Sequence, residues 1–172
     1  QKERNGMYDK LTRADIRKME EEIEHRKLVV RKEALEEVKE ARAQGDLSEN
    51  FEYKAAKKEK NRNESRIRYL ERMIKTAQVI EDTSDSRQVG LNDTVVLYIE
   101  DDDCTEEYKI VTTVRADVLH NLISIESPMG KALLKHQTGD RVFIAINDKG
   151  GYYAQIREIR KSDDESEQIS QY

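Results

Sequence analysis

Apolar residues recur at helical spacing through the first half of this chain and at alternating spacing through the second. Ile16, Met19, Ile23, Val30 and Val38 mark one face, with Ala34 and Leu35 filling it, and steps of three and four predict an amphipathic helix. The run opens at Thr12, which can cap a helix. Asp15, three residues on, has capping-box spacing and complements the positive end of the helix dipole. Gly45 ends the run where a C′ glycine belongs. A second run, Tyr53, Ala56, Lys60, Asn63, Ile67, Leu70, Ile74 and Ala77, alternates steps of three and four, the period of a coiled coil. Folding the two runs about Leu47 opposes Lys60 to Glu33 and Ile67 to Arg26. It predicts a Glu33–Lys60 pair in or beside the seam that fixes the register. With roughly 30 residues per helix, the hairpin is about 45 Å long.

Periodicity lapses over 78–92, where Thr83, Ser84, Asp85, Ser86 and Gly90 mark a boundary. Beyond it Val95–Ile99, Tyr108–Val114, Leu122–Glu126, Val142–Ile146 and Tyr152–Ile159 read as strands, the last two joined by a turn at Asn147–Gly151. Ser127-Pro128 has N-cap and N1 chemistry and opens a short helix over Met129–Leu134. The reading is α+β: an antiparallel coiled-coil hairpin over 8–80 with its tip at 45–50, a linker over 81–92, a small, mostly antiparallel sheet domain over 93–160, and a tail over 161–172 too polar to pack.

Composition supports this division. Charged residues reach 39% and hydrophobic ones 36% of the 172, too polar for one well-filled sphere but suited to a hairpin beside a small domain. Trp is absent and only two Phe occur, which argues against the aromatic-lined pocket of a prolyl isomerase or chaperone. The single Cys104 excludes an internal disulfide framework and a Cys-based zinc site, and points to a reducing compartment. No run approaches ~18 apolar residues, so no membrane span is expected. The net charge of −5 divides into +4 over 1–80 and −9 beyond, and over 50–77 basic residues outnumber acidic ones nine to four. The second helix is thus the basic face of an acidic protein.

Asp46 and Glu49 fall between the two helical runs, at the far end of the hairpin. One reading is structural. Asp46 caps the second helix with Glu49 at N3, or Ser48 caps it instead, at a value of only ~1 kcal/mol. The other is chemical. Carboxylates one turn apart can converge on one cation, and Mg²⁺ takes hard oxygen ligands while keeping several waters. Two carboxylates make half a site, which binds Mg²⁺ weakly until a partner supplies more oxygens. In a two-metal phosphodiester reaction the second metal activates the attacking water.

Ala41-Arg42-Ala43-Gln44-Gly45-Asp46-Leu47-Ser48-Glu49-Asn50, followed by Glu52-Tyr53 and Ala55-Ala56, resembles the tip motif of the bacterial Gre transcript-cleavage factors. Asn121–Leu133, with Ser127-Pro128-Met129-Gly130 at its centre, and then Gly139-Asp140 resemble the same family's C-terminal signature. The two lie in the family's order and spacing across roughly residues 8–160.

The resemblance implies a C-terminal domain of FKBP-like fold that docks on bacterial RNA polymerase, in the cytoplasm; the oligomeric state is open, with monomer the default for a rod that enters a channel. It implies a hairpin that enters the polymerase secondary channel and an accessory factor without a complete active site of its own. Asp46 and Glu49 then share a Mg²⁺ with the polymerase and stimulate cleavage of the 3′ end of backtracked RNA. Ser127, Pro128, Met129 and Gly130 form the docking loop, the alternative being a plain strand–helix turn. Arg42, Lys54, Lys57 and Lys58 lie where extruded RNA would pass, the alternative being a solvated helix face. Tyr53 can stack on a base or orient the tip, though its seam position favours packing. Phe51 stands where well-known members carry a small residue. Family members that enter the channel without promoting cleavage alter the acidic tip, and this tip keeps Asp-x-x-Glu. The alternatives are such a channel regulator, an isomerase or chaperone, or an inert coiled-coil spacer.

Overall fold

The computed structural model describes residues 10–45 and 50–171, and they form two compact units. One comprises Ile16–Ala77; the other joins the residues up to Asp15 with those from Gln78 onward.

The helical unit is an antiparallel pair. Its first arm runs through α1 (Arg13–His25), a π-helical turn (Arg26–Val30) and α2 (Arg31–Ala43); its second is α3 (Phe51–Lys75). The expected capping box forms: the Thr12 amide donates to Asp15 Oδ2 at 3.0 Å, and the Asp15 amide to Thr12 Oγ1 at 3.1 Å. Gln44 is the C-cap of α2, and Gly45 at φ 137° is the C′ glycine that ends it.

The π turn follows from the spacing of the seam. Arg26, Val30, Ala34 and Val38 are buried or half-buried at successive steps of four. In an α-helix each such step drifts about 40° around the axis. A turn with an extra residue absorbs that drift, and here the Arg31 amide donates to Arg26 O, five residues back. The turn also corrects an expectation. Leu35, placed by spacing on the packed face, is 47% exposed, while Ala34 is buried.

A second correction concerns the pin that holds the helices in register. No Glu33–Lys60 pair forms, and Glu33 is exposed. The pin is Asn63, 3% exposed in the seam of α3. Its Oδ1 accepts from Arg26 Nη1 at 3.0 Å and its Nδ2 donates to Arg26 O at 3.3 Å. Arg66 reaches Glu22 at 2.8 Å, and Arg31 grips Glu64 with two bonds of 2.7 and 2.9 Å. Burial pushes the Glu22 carboxyl up, but bonds from Arg66 and Arg26 outweigh it and leave it below its ordinary range. Around this polar centre, Ala34, Ala41, Ile67, Leu70 and Met73 supply the buried apolar contacts.

The globular unit is built on a five-stranded sheet in the order β5-β4-β3-β7-β6, with β3 (Thr94–Ile99), β4 (Cys104–Val111), β5 (Leu122–Ser124), β6 (Arg141–Asn147) and β7 (Gly150–Arg160). All neighbours are antiparallel except β4 and β5. Two short strands, β1 (Lys10–Leu11) and β2 (Gln78–Val79), pair in parallel in this unit. Strand β4 starts earlier and ends sooner than its hydropathy predicts. Glu106 and Glu107 hide its first half by hydropathy, yet they pair in register with Leu97 and Val96. The chain then turns through a 3₁₀ segment at Thr113–Arg115. Val95, Leu97, Ile99, Ile110, Val142, Ile144, Ala154 and Ile156 cover one face of the sheet, and Leu133 of α4 (Pro128–Leu133) joins them.

The segment after Arg160, expected to be too polar to pack, is tied down. Glu165 and Glu167 accept from Arg115 at 3.3 and 2.9 Å, Lys109 bonds Glu167, and the Ser170 amide donates to Val114 O at 2.7 Å. Arg115 also reaches Asp15 at 2.8 Å, both side chains being 0% exposed, and Asn92 Oδ1 at 2.9 Å. Burying so many charges is tolerable only because each finds an opposite partner.

Candidate functional site

Asp46 and Glu49, with Leu47 and Ser48 between them, lie outside the described residues. The residues on either side are described. Helix α3 begins at Phe51 with Asn50 as its N-cap, and Asn50 Oδ1 accepts from the Tyr53 amide at 3.0 Å. This corrects the structural reading of the carboxylates. The N-cap of α3 is neither Asp46 nor Ser48, and Glu49 is not at N3 of that helix. Asn50 was legible in principle, since Asn ranks with Asp and Ser at N-caps and stands directly before the helical run. Its Nδ2 also donates across the hairpin to Ala41 O at 2.7 Å.

Arg42 and Tyr53 meet across the same end. Arg42 Nη2 donates to the Tyr53 hydroxyl at 3.3 Å, and its guanidinium carbon lies 5.6 Å from the ring centroid. The hydrogen bond from Arg42 draws the Tyr53 phenol below its ordinary pKa. Tyr53 is half-buried and Arg42 exposed, so Tyr53 packs, as its seam position predicts, while also holding Arg42.

Lys54, Lys57 and Lys58 are exposed. Lys54 lies 5.8 Å above the ring of Phe51, which is 82% exposed. A shallow groove along the hairpin is lined by Glu37, Glu40, Glu52 and Glu59 with Ala41, Ala55 and Ala56. At about 100° per residue, the lysines and the groove residues of α3 fall on roughly opposite sides of the helix. This end of the hairpin therefore has a basic side and an acidic one.

The Ser127–Gly130 loop has clear structural duties. Ser127 Oγ caps α4 by accepting from the Gly130 amide at 3.0 Å and donates to Ser124 O at 2.6 Å. Pro128 occupies the first turn, Met129 packs against the core, and Gly130 is buried. A Cβ on Gly130 would meet Ser124 O at 2.1 Å. Only Pro128 of the four is exposed. Of the described site residues, Arg42, Lys54, Lys57 and Lys58 belong to the helical unit and Ser127, Pro128, Met129 and Gly130 to the globular one.

Among the described residues no group of three or more His, Cys, Asp or Glu is placed to hold a metal ion, and no helix is long and apolar enough to cross a membrane. The metal expectation falls on Asp46 and Glu49, outside them.

Comparison with known proteins bears on most of the chain. The N-terminal family model of GreA/GreB transcription elongation factors matches residues 10–79, and the C-terminal model of the same factors matches residues 84–161. Transcription elongation factor GreA of Thermoanaerobacter pseudethanolicus is 46% identical over 153 residues, covering 88% of this chain and 96% of that protein. GreA of Staphylococcus epidermidis is 40% identical over 150 residues, covering 87% and 95%. The crystal structure of GreA factor homolog 1 (Gfh1) from Thermus thermophilus is 30% identical over 88% of this chain and 98% of that one, with a TM-score of 0.40, too low to argue the fold by itself. The tip motif and the C-terminal signature fall inside the two matched regions, and the chain belongs to the GreA/GreB family of transcription elongation factors.

Proposed function

We propose that this chain is a monomeric accessory factor of bacterial RNA polymerase, acting in the cytoplasm. It inserts its hairpin into the secondary channel and stimulates the polymerase to cleave the 3′ end of backtracked RNA. The observation that carries this reading is the cap of α3. Asn50 fills it, so helix capping does not account for the Asp-x-x-Glu pair at 46 and 49. Family membership and the exposed lysines of α3 support the same reading.

The two carboxylates fit a shared Mg²⁺ by chemistry, being hard oxygen donors too few to make a closed site. When bound, the ion supplies positive charge that lowers the pKa of the attacking water and stabilises the developing oxyanion. Cleavage itself is the polymerase's, and this chain's residues supply charge and contacts. Asp46 and Glu49 carry negative charge into the channel. Arg42, Lys54, Lys57 and Lys58 attract the extruded RNA backbone, an attraction that weakens with salt. Pro128, exposed at the start of α4, lies with Ser127, Met129 and Gly130 in the loop that meets the polymerase.

The test uses a backtracked bacterial elongation complex with 3′-labelled RNA and Mg²⁺. Fast release of the labelled 3′ fragment with the factor, and slow release without it, is the expected result. No release, together with competition against another channel-binding protein, would replace this reading with a regulator that does not promote cleavage.

A further inference from the structure

We propose that Asn50 is a positioning residue, whose carboxamide fixes the separation of the two helix ends that carry residues 46–49. The proposal rests on the cleavage reading above. One short side chain makes two bonds at this end, accepting from the Tyr53 amide on α3 at 3.0 Å and donating to Ala41 O on α2 at 2.7 Å. Each partner is a terminal helix group that lacks a full intrahelical complement. Ala41 is 6% exposed, so its carbonyl belongs to a packed residue and not to a frayed end. The Arg42–Tyr53 contact adds a second tie across the same end.

Residue chemistry explains why Asn serves here. Ser and Asp cap as well as Asn does. An ionised Asp has no donor, and a Ser hydroxyl is one bond shorter than the carboxamide nitrogen it would replace. Either substitution keeps the cap and removes the cross-hairpin brace. Metal-ligating groups must be held within about 0.5 Å of their working geometry, and misplacement by about 1 Å can cost up to 10²-fold in rate. A brace anchored in the packed seam limits that error at both ends of the segment carrying Asp46 and Glu49.

The experiment compares wild type, Asn50→Ser, Asn50→Asp and Asp46→Ala on the backtracked complex. It records thermal midpoint, polymerase affinity, cleavage rate at saturating factor and the Mg²⁺ concentration for half-maximal rate. We expect Asn50→Ser and Asn50→Asp to keep wild-type melting and affinity, to lose roughly tenfold in rate, and to need more Mg²⁺. Agreement between the neutral and the charged replacement assigns the loss to the brace and not to added charge. If one replacement melts low, the other decides, because both keep the cap. Wild-type rate and Mg²⁺ dependence in both, with Asp46→Ala inactive, would overturn the positioning role alone. Normal cleavage by Asp46→Ala would overturn the reading on which it rests.

Discussion

In the globular unit Arg115 and Asp15 face each other at 2.8 Å with no exposure at all; in the hairpin Glu22, which binds Arg66 at the same distance, keeps a quarter of its surface in solvent. The two units hold charge for different ends. The globular unit has a continuous apolar core, and its ion network gathers Thr12, Asn92, Lys109, Glu165 and Glu167 around a charge that water cannot reach. The hairpin has a thin line of buried apolar residues, interrupted at its middle by Asn63. Its ion pairs keep solvent on at least one partner, and Asn63 and Arg66 specify which turns of the two arms meet. In an arm with so thin an apolar seam, polar pins fix the register better than a greasy seam that slips.

The largest expected effect breaks the globular side of this contrast. Arg115→Met leaves Asp15, Glu165 and Glu167 without their shared cation, and loss of one partner from a buried pair costs about 3–5 kcal/mol. Urea unfolding should show that loss, and a change below about 1 kcal/mol would mean that the network is solvated after all. Next in size is Gly130→Ala. Its Cβ would lie 2.1 Å from Ser124 O and 2.9 Å from Ile125 Cα. Backbone must therefore move, at about 1–3 kcal/mol, seen as a lowered melting temperature. Smallest is an acid titration of the hairpin. The folded pKa of Glu22 lies below its ordinary 4.5. Its contribution is therefore present above about pH 4.5 and fades as pH falls toward the folded value. Glu64, lowered chiefly by its bond from Arg31, behaves alike. The gap in thermal midpoint between wild type and Glu22→Gln should narrow below pH 4.5. A gap that stayed constant to pH 3 would remove Glu22 from the account.

Much of this was legible in the chain. The seam of α3 follows its three-four spacing, and Thr12, Asp15, Gly45, Ser127 and Pro128 do at helix ends what their chemistry predicts. What was not legible depends on tertiary contact. Spacing alone does not show a π turn, so it places on the packed face a Leu35 that is exposed. Composition reads the tail as too polar to pack because its partners, Arg115 and Lys109, lie some 50 residues earlier in the sequence. At the tip, three residues compatible with capping stood close together, and only the backbone decides among Asp46, Ser48 and Asn50. The carboxylate motif is visible from residue types and order; spacing alone does not distinguish a ligand pair from a cap, and only the resemblance of the tip motif to the family favours the ligand pair.

The most direct test of the central claim compares wild type with Asp46→Ala and Glu49→Ala on a backtracked elongation complex, with polymerase affinity measured alongside cleavage. The account predicts unchanged melting and affinity, and a steep loss of labelled 3′-fragment release in both variants, on the order of 10²-fold or more. Normal release by both variants would contradict it and leave the acidic tip without a part in cleavage.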